Sequence, residues 1–266
     1  IRPDKRLKFA LRDFSLAGFY IRVVMNTATG KVFLTAQWRE LAMLNYDADP
    51  ALLQRFVPAG TELDLWNGHA FLSLVGFRFL STRVMGISVP FHSDFEEVNL
   101  RLYVQRRDGA LIKRGVVFIR EIVPRWAIAT LARTLYNENY VSLPMSHHIS
   151  NDNARLAVTY GWKSGKRWNK ISLAVNDDDP ALPDPGSEEQ FITEHYWGYA
   201  RQRDGGCIEY EVAHPPWRVW STRDARLEGD MEQLYGKDLA DILKQGPASA
   251  FLAEGAEVTG HRGRRV

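Results

Sequence analysis

Glu97, Asn99, Arg101 and Tyr103 fall at every second position of Phe95-Glu-Glu-Val-Asn-Leu-Arg-Leu-Tyr-Val104, and together they could bind an anion and move a proton. A guanidinium is a planar fork of donors that grips a carboxylate through two hydrogen bonds, and a carboxylate beside it can orient it or act as acid or base. A spacing of two is that of a strand, where successive side chains point to opposite faces. The four polar residues therefore share one face, and Val98, Leu100, Leu102 and Val104 share the other. Such a polar face is either the wall of a pocket or a solvated sheet surface. Alternation alone leaves both open.

His214 is the other candidate for chemistry, in Val212-Ala-His-Pro-Pro-Trp217. An imidazole loses its proton near neutral pH, so His214 could serve as a general base with Trp217 as a ligand contact. It could equally satisfy backbone groups at the end of a hairpin, with Trp217 plugging the core. His147 and His148 are adjacent and face opposite ways on a strand, and no Glu or Cys stands at ligand spacing, so no metal site is expected. Asp177-Asp178-Asp179 lacks the remaining ligands of a calcium loop. The nucleophile elbow, phosphate-cradling glycine loop, zinc-protease and Cys-x-x-Cys signatures are missing, and no cofactor is expected.

The elements that must position these residues are mostly strands. Val32 to Leu44 opens the series; Asp49-Pro50 caps a short helix that ends near Pro58. Glu62 to Trp66, an Asn67-Gly68 turn and Ala70 to Leu80 read as a hairpin. The Phe95 strand turns at Asp108-Gly109 into Gly115 to Glu121, and Pro124 to Tyr136 has helical spacing. Arg155 to Trp162 with Trp168 to Val175, and Phe191 to Ala200 with Cys207 to Val212, are expected as further hairpins. A surface loop, Asn176 to Gln190, lies between them. Met231, Leu234, Tyr235, Leu239, Ile242 and Leu243 trace one helix face up to Gly246-Pro247, and two short strands, Ala250 to Leu252 and Glu257 to His261, end the chain.

At 266 residues with 45% hydrophobic side chains, the chain is expected to hold one domain over residues 31–266, with residues 1–30 as an N-terminal extension. That extension has neither the apolar run of a secretory signal nor a membrane-spanning length. The net charge of +2 supplies no field toward nucleic acid or membrane. Lys163, Lys166, Arg167, Trp168 and Lys170 interleave cations with an aromatic, as single-strand binders do, but they sit at a hairpin tip where lysines also protect an edge. Cys207 is the sole cysteine, which excludes an internal disulfide and suits a reducing cytoplasm.

Five ordered segments carry a resemblance: Phe33 to Leu44, Phe56-Val57-Pro58, Phe95 to Val104, Ala132-Arg133-Thr134-Leu135-Tyr136 and Val212 to Trp217. Together they look like the DUF2071, or YqjF-like, family of bacterial proteins, from about Lys31 onward. That family is in turn similar in fold to acetoacetate decarboxylase. The resemblance implies an α+β, mostly β fold, an antiparallel β-barrel or double sheet with a few flanking helices and a central cavity. It places Glu97 at the position of an active-site glutamate. The decarboxylase also uses a lysine pair, one member forming an imine while its neighbour lowers its pKa. Here no lysine occurs between Lys113 and Lys163, so imine chemistry is expected to be absent. The reading is a cavity for a small anionic or carbonyl ligand, with Glu97 and His214 as catalytic candidates and Asn99, Arg101, Tyr103 and Trp217 as ligand contacts. Its alternatives are a non-catalytic binding module and, through residues 163–170, nucleic-acid binding.

Overall fold

The computed structural model describes residues 30–88, 93–124, 139–152, 155–176, 179–222 and 224–266. The expected extension up to residue 29, the helix after Pro124 and Asp177-Asp178 lie outside them. In chain order the strands are β1 (Val32–Ala48), β2 (Glu62–Leu63), β3 (Ala70–Val84), β4 (Ile87–Ser88), β5 (Phe95–Asp108), β6 (Leu111–Val123), β7 (Tyr140–Ser142) and β8 (Met145–Asp152). There follow β9 (Arg155–Ser164), β10 (Arg167–Asn176), β11 (Trp197–Arg201), β12 (Cys207–Ala213), β13 (Val219–Thr222), β14 (Ala225–Glu228), β15 (Ser249–His261) and β16 (Arg264–Arg265).

The larger sheet runs β13-β15-β1-β3-β5-β6-β11-β12-β16. Its path also returns on itself, because β12 pairs with β15 through Val212 opposite Gly260 and Ala213 opposite Thr259. Seven strands thus follow one another in a ring from β15 through β1, β3, β5, β6, β11 and β12 back to β15. All neighbours in the ring are antiparallel except β6 and β11. Register carries side chains to the interior in rows: Met43, Val75 and Asn99 share one level, and Asn45, Ser73 and Arg101 the next. The interior apolar cluster includes Phe71, Val75, Phe77, Phe79, Phe95, Tyr103, Trp217 and Phe251.

A second sheet, β14-β10-β9-β8, lies outside the ring. It covers the outer side chains of β1, β3 and β5: Leu44, Leu74, Leu100 and Leu102 share one cluster with Tyr160, Trp162, Ile171 and Leu173. Each such aliphatic side chain contributes about 1.5–3 kcal/mol on burial. Close approach is possible because β3 has a glycine at the contact; a Cβ on Gly76 would lie 2.6 Å from Ile171 Cδ1 and 2.7 Å from the Tyr160 ring. The Tyr160 hydroxyl donates to the Glu40 carbonyl at 2.8 Å, tying the layers together. Helix Lys237–Lys244 buries Leu239, Ala240, Ile242 and Leu243 in the same cluster. The apolar face of β5 is therefore covered mainly by a sheet.

Several expected elements differ. Asp49 does cap the helix Pro50–Leu53, its carboxylate accepting from Ala51 N–H at 2.8 Å. Asn67 and Gly68 do make the turn, both with positive φ, but only Trp66 and His69 bridge across it, and β2 pairs with β5 instead of β3. Phe191 to Thr193 is helical: helix Glu188–Thr193 starts from Ser187, whose hydroxyl accepts from Gln190 N–H at 3.1 Å. The single helix expected near residues 231–243 is broken at Gly236, where φ is +79°. The two last strands are one, β15, carried through Gly255 at φ +81° against the Trp38 carbonyl.

Candidate functional site

On β5, Glu97, Asn99, Arg101 and Tyr103 are 2%, 2%, 6% and 1% exposed, which excludes a solvated sheet face. Their row points into the ring, and each residue is held by a neighbour. Asn99 Nδ2 donates to Glu97 Oε1 at 3.0 Å, and the Tyr140 hydroxyl of β7 donates to Glu97 Oε2 at 3.3 Å. Asn99 Oδ1 is buried and accepts no hydrogen bond among the described residues. Burial pushes the Glu97 carboxyl up to about 7, against the opposing pull of Asn99, Tyr140 and the Arg101 charge. Tyr140 is pushed well above its ordinary value, first by burial and then by Glu121 and Glu97, so it remains a donor.

Arg101 begins a directed chain of hydrogen bonds. Its Nε donates to the Tyr103 hydroxyl at 3.4 Å, which donates to Ser73 Oγ at 2.8 Å, which donates to Asn45 Oδ1 at 2.7 Å. Asn45 Nδ2 donates to Ser249 Oγ at 3.0 Å, and Ser249 donates to the Glu188 carboxylate. Each hydroxyl's single proton is committed to the next acceptor, so the chain fixes the rotamers that set Arg101 in place. The guanidinium lies 5.7 Å from the Tyr103 ring centroid. Among the described residues no carboxylate stands within salt-bridge distance of it.

Two histidines flank this cation. His195 Nε2 lies 3.0 Å from Asp64 Oδ2, which also receives Arg114 Nε at 2.6 Å. The His195 ring packs 4.7 Å from Tyr103 and 5.1 Å from Phe191, and its buried Nδ1 has no partner among the described residues. Burial draws His195 down to about 4, outweighing the Asp64 hydrogen bond, with the charges of Arg114 and Arg101 assisting. Burial also acts to raise Asp64, but its hydrogen bonds and the adjoining positive charge hold it below its ordinary value. With His195 neutral, that charge is Arg114, and Nε2–H of His195 is the donor to Asp64.

His214 is half-buried and stacks on Trp217 at 4.2 Å and 18°, with Tyr196 4.8 Å away on another side. Its Nδ1–H donates to the Pro215 carbonyl at 2.9 Å. Enclosure by its surroundings draws it down to about 4, the Pro215 hydrogen bond opposing and the Arg101 charge assisting. Trp217 is buried and packs 6.0 Å from Trp38, whose ring meets Phe77 and Phe79. The Arg101 charge thus acts on Glu97, His195 and His214 alike.

Asp64, His195, Tyr140, Ser73 and Asn45 were not found from sequence. Asn45 and Ser73 had a signal, each a lone polar residue inside an apolar run at the parity of the interior face. Elsewhere, His147 lies 3.5 Å from Glu96, and no group of three metal-ligating side chains occurs among the described residues. Lys166, Arg167 and Trp168 are exposed at the β9–β10 tip, while Lys170 pairs with Glu228 at 3.1 Å. Cys207 is fully buried. Among the described residues no helix is long and apolar enough to cross a membrane.

Residues 35–257 match the model of DUF2071, an uncharacterized conserved protein family. The chain belongs to the DUF2071 family. YqjF of Bacillus subtilis (strain 168), an uncharacterized protein, is 26% identical to this DUF2071 chain over 186 residues, 68% of the chain and 72% of YqjF. Among solved structures, acetoacetate decarboxylase from Legionella pneumophila superposes with a TM-score of 0.64 at 12% identity, covering 97% of this chain and 98% of that one. The enduracididine biosynthesis enzyme MppR complexed with pyruvate gives 0.60 at 13% identity, covering 90% and 93%. At such identities the likeness shows a shared fold, acetoacetate-decarboxylase-like and mostly β.

Proposed function

We propose that this DUF2071 protein binds a small organic carboxylate inside the barrel, anchored by Arg101, and that Glu97 exchanges a proton with the bound molecule. The observation that carries this reading is the buried guanidinium with no carboxylate partner among the described residues. A charge taken out of water costs several kcal/mol unless an opposite charge meets it, and an anionic ligand supplies that charge. With both flanking histidines neutral at pH 7, they neither add to nor compete with the Arg101 charge. Glu97, balanced near neutrality, is available both as acid and as base. Asn99 Oδ1 and His195 Nδ1 are free to accept hydrogen bonds from a hydroxyl or enol. Trp38, Phe77, Phe79 and Trp217 supply an apolar wall. The pyruvate held by MppR, a protein of the same fold, supports a ligand of this class.

Imine formation is not part of the reading. Lys113 of β6 is directed to the outside, where its Nζ meets Glu209 at 2.8 Å and Asp108 at 2.7 Å and lies 4.2 Å from the Trp197 ring centroid. Calorimetric titration with pyruvate, acetoacetate and acetate tests the proposal. Saturable binding of at least one acid is expected, with none for the neutral amide of pyruvate, and borohydride should leave the protein mass unchanged. Equal binding of acid and amide, or a trapped lysine adduct, would overturn it.

A further inference from the structure

A separate cleft of about 550 Å³ opens on the outside of the barrel, between the residue 54–56 turn, β6, β11 and the helix Glu232–Tyr235. Arg55, Arg120, Arg201 and Arg203 line it, and among its described lining residues none is acidic. Arg55 is half-exposed and shared with Asp238 at 2.7 Å. Arg201 donates through Nη2 to the Val57 carbonyl at 2.7 Å. Two of its lining residues carry an unsatisfied donor: Arg120 Nε and the Tyr235 hydroxyl are both buried without a hydrogen-bond partner among the described residues. Tyr235 as a whole is 8% exposed, and the Arg120 charge reaches its hydroxyl. A register shift in the β5–β6 pairing brings Arg120 here, since Leu100 faces Arg120 while Arg101 faces Phe118, leaving Ile119 as the extra residue.

We propose that this outer cleft is an anion site for a phosphate ester. Buried donors without acceptors are rare, because each forgoes the hydrogen bonds it makes in water, and here two of them belong to residues lining a cleft rich in guanidiniums, with no acidic residue among its described lining residues. A phosphate dianion has three acceptor oxygens and suits several guanidiniums at once, where a carboxylate satisfies one fork. The cleft exceeds the volume of the phosphate group, and the Phe56 ring offers an apolar contact for an organic portion. This site is independent of the barrel interior.

Titration with inorganic phosphate and with glycerol 3-phosphate, followed by calorimetry at low salt, tests it. Wild-type protein and the interior variant Arg101→Met are expected to bind glycerol 3-phosphate equally. Arg120→Gln should weaken it by about tenfold or more, and the surface variant Arg203→Gln, which does not touch the core, by several-fold. Tyr235→Phe should weaken it without unfolding the protein. Absence of millimolar binding by both phosphates overturns the proposal, as does binding that Arg101→Met abolishes and Arg120→Gln and Arg203→Gln leave intact.

Discussion

Arg101→Met is expected to abolish carboxylate binding and, in the ligand-free protein, to raise the melting temperature. Arg101 is 6% exposed, and its guanidinium has one long hydrogen bond to Tyr103 and no ion pair among the described residues. Replacing even a paired buried charge by a hydrophobe of similar size is often neutral or stabilising by about 1–4 kcal/mol, and an unpaired one has less Coulombic gain to lose. Methionine is shorter than arginine but keeps its unbranched apolar stem, so Tyr103 and its hydrogen bond to Ser73 retain their packing. For a chain of this size about 2–4 °C accompanies each kcal/mol. Binding moves the opposite way: loss of a charge-assisted, two-pronged contact weakens affinity by about a hundredfold or more. Thermal melts and calorimetry on the same preparations check both halves. Substantial destabilisation of Arg101→Met would mean that the cation is satisfied within the fold.

Glu97 governs the second large effect, which is on pH. Its carboxyl is raised from 4.5 to about 7 by burial, so between those values the folded state holds a proton that the unfolded chain has lost. The stabilisation from this group is fully present below 4.5 and is lost as pH rises through 7. Its size is about 3 kcal/mol, taking 1.36 kcal/mol per pKa unit. The histidines act with opposite sign: drawn down from 6.5 to about 4, His195 and His214 contribute stability that is lost as pH falls through that interval. The difference between wild type and Glu97→Gln isolates the carboxyl. Glu97→Gln should gain on wild type from pH 5 to pH 8 in urea denaturation midpoints. Carboxylate affinity of the wild type should also fall above pH 7, as ionised Glu97 opposes the incoming anion, and Glu97→Gln should flatten that dependence. Parallel curves for the two proteins would place the titrating group elsewhere.

Much of this site was legible in the alternation of β5, which puts Glu97, Asn99, Arg101 and Tyr103 in one row. The side of the sheet they face was not, because Leu100 and Leu102 on the opposite face are equally buried beneath a second sheet that no local pattern announces. Resemblance to the decarboxylase pointed Glu97 inward, and the stretch that lacks its lysines supplies Tyr140 to Glu97 instead. Asp64 and His195 are 131 residues apart and meet only through the fold, so local spacing carried no sign of them. Ser187-Glu-Glu-Gln190 did carry a capping-box signal for a helix. The aromatic and β-branched residues after it read as strand and masked that signal. Gly255, at positive φ within the continuous strand β15, was ambiguous in the same way, since a glycine between two short apolar runs also reads as a turn.

The Arg101 Nε–H resonance in protein labelled with 15N-arginine, assigned by its disappearance in Arg101→Met, reports directly on the cation at the centre of this account. A saturable shift with pyruvate or another small carboxylate, and none with the neutral amide, is the predicted result. A resonance that stays fixed while calorimetry records carboxylate binding would place the ligand elsewhere and contradict it.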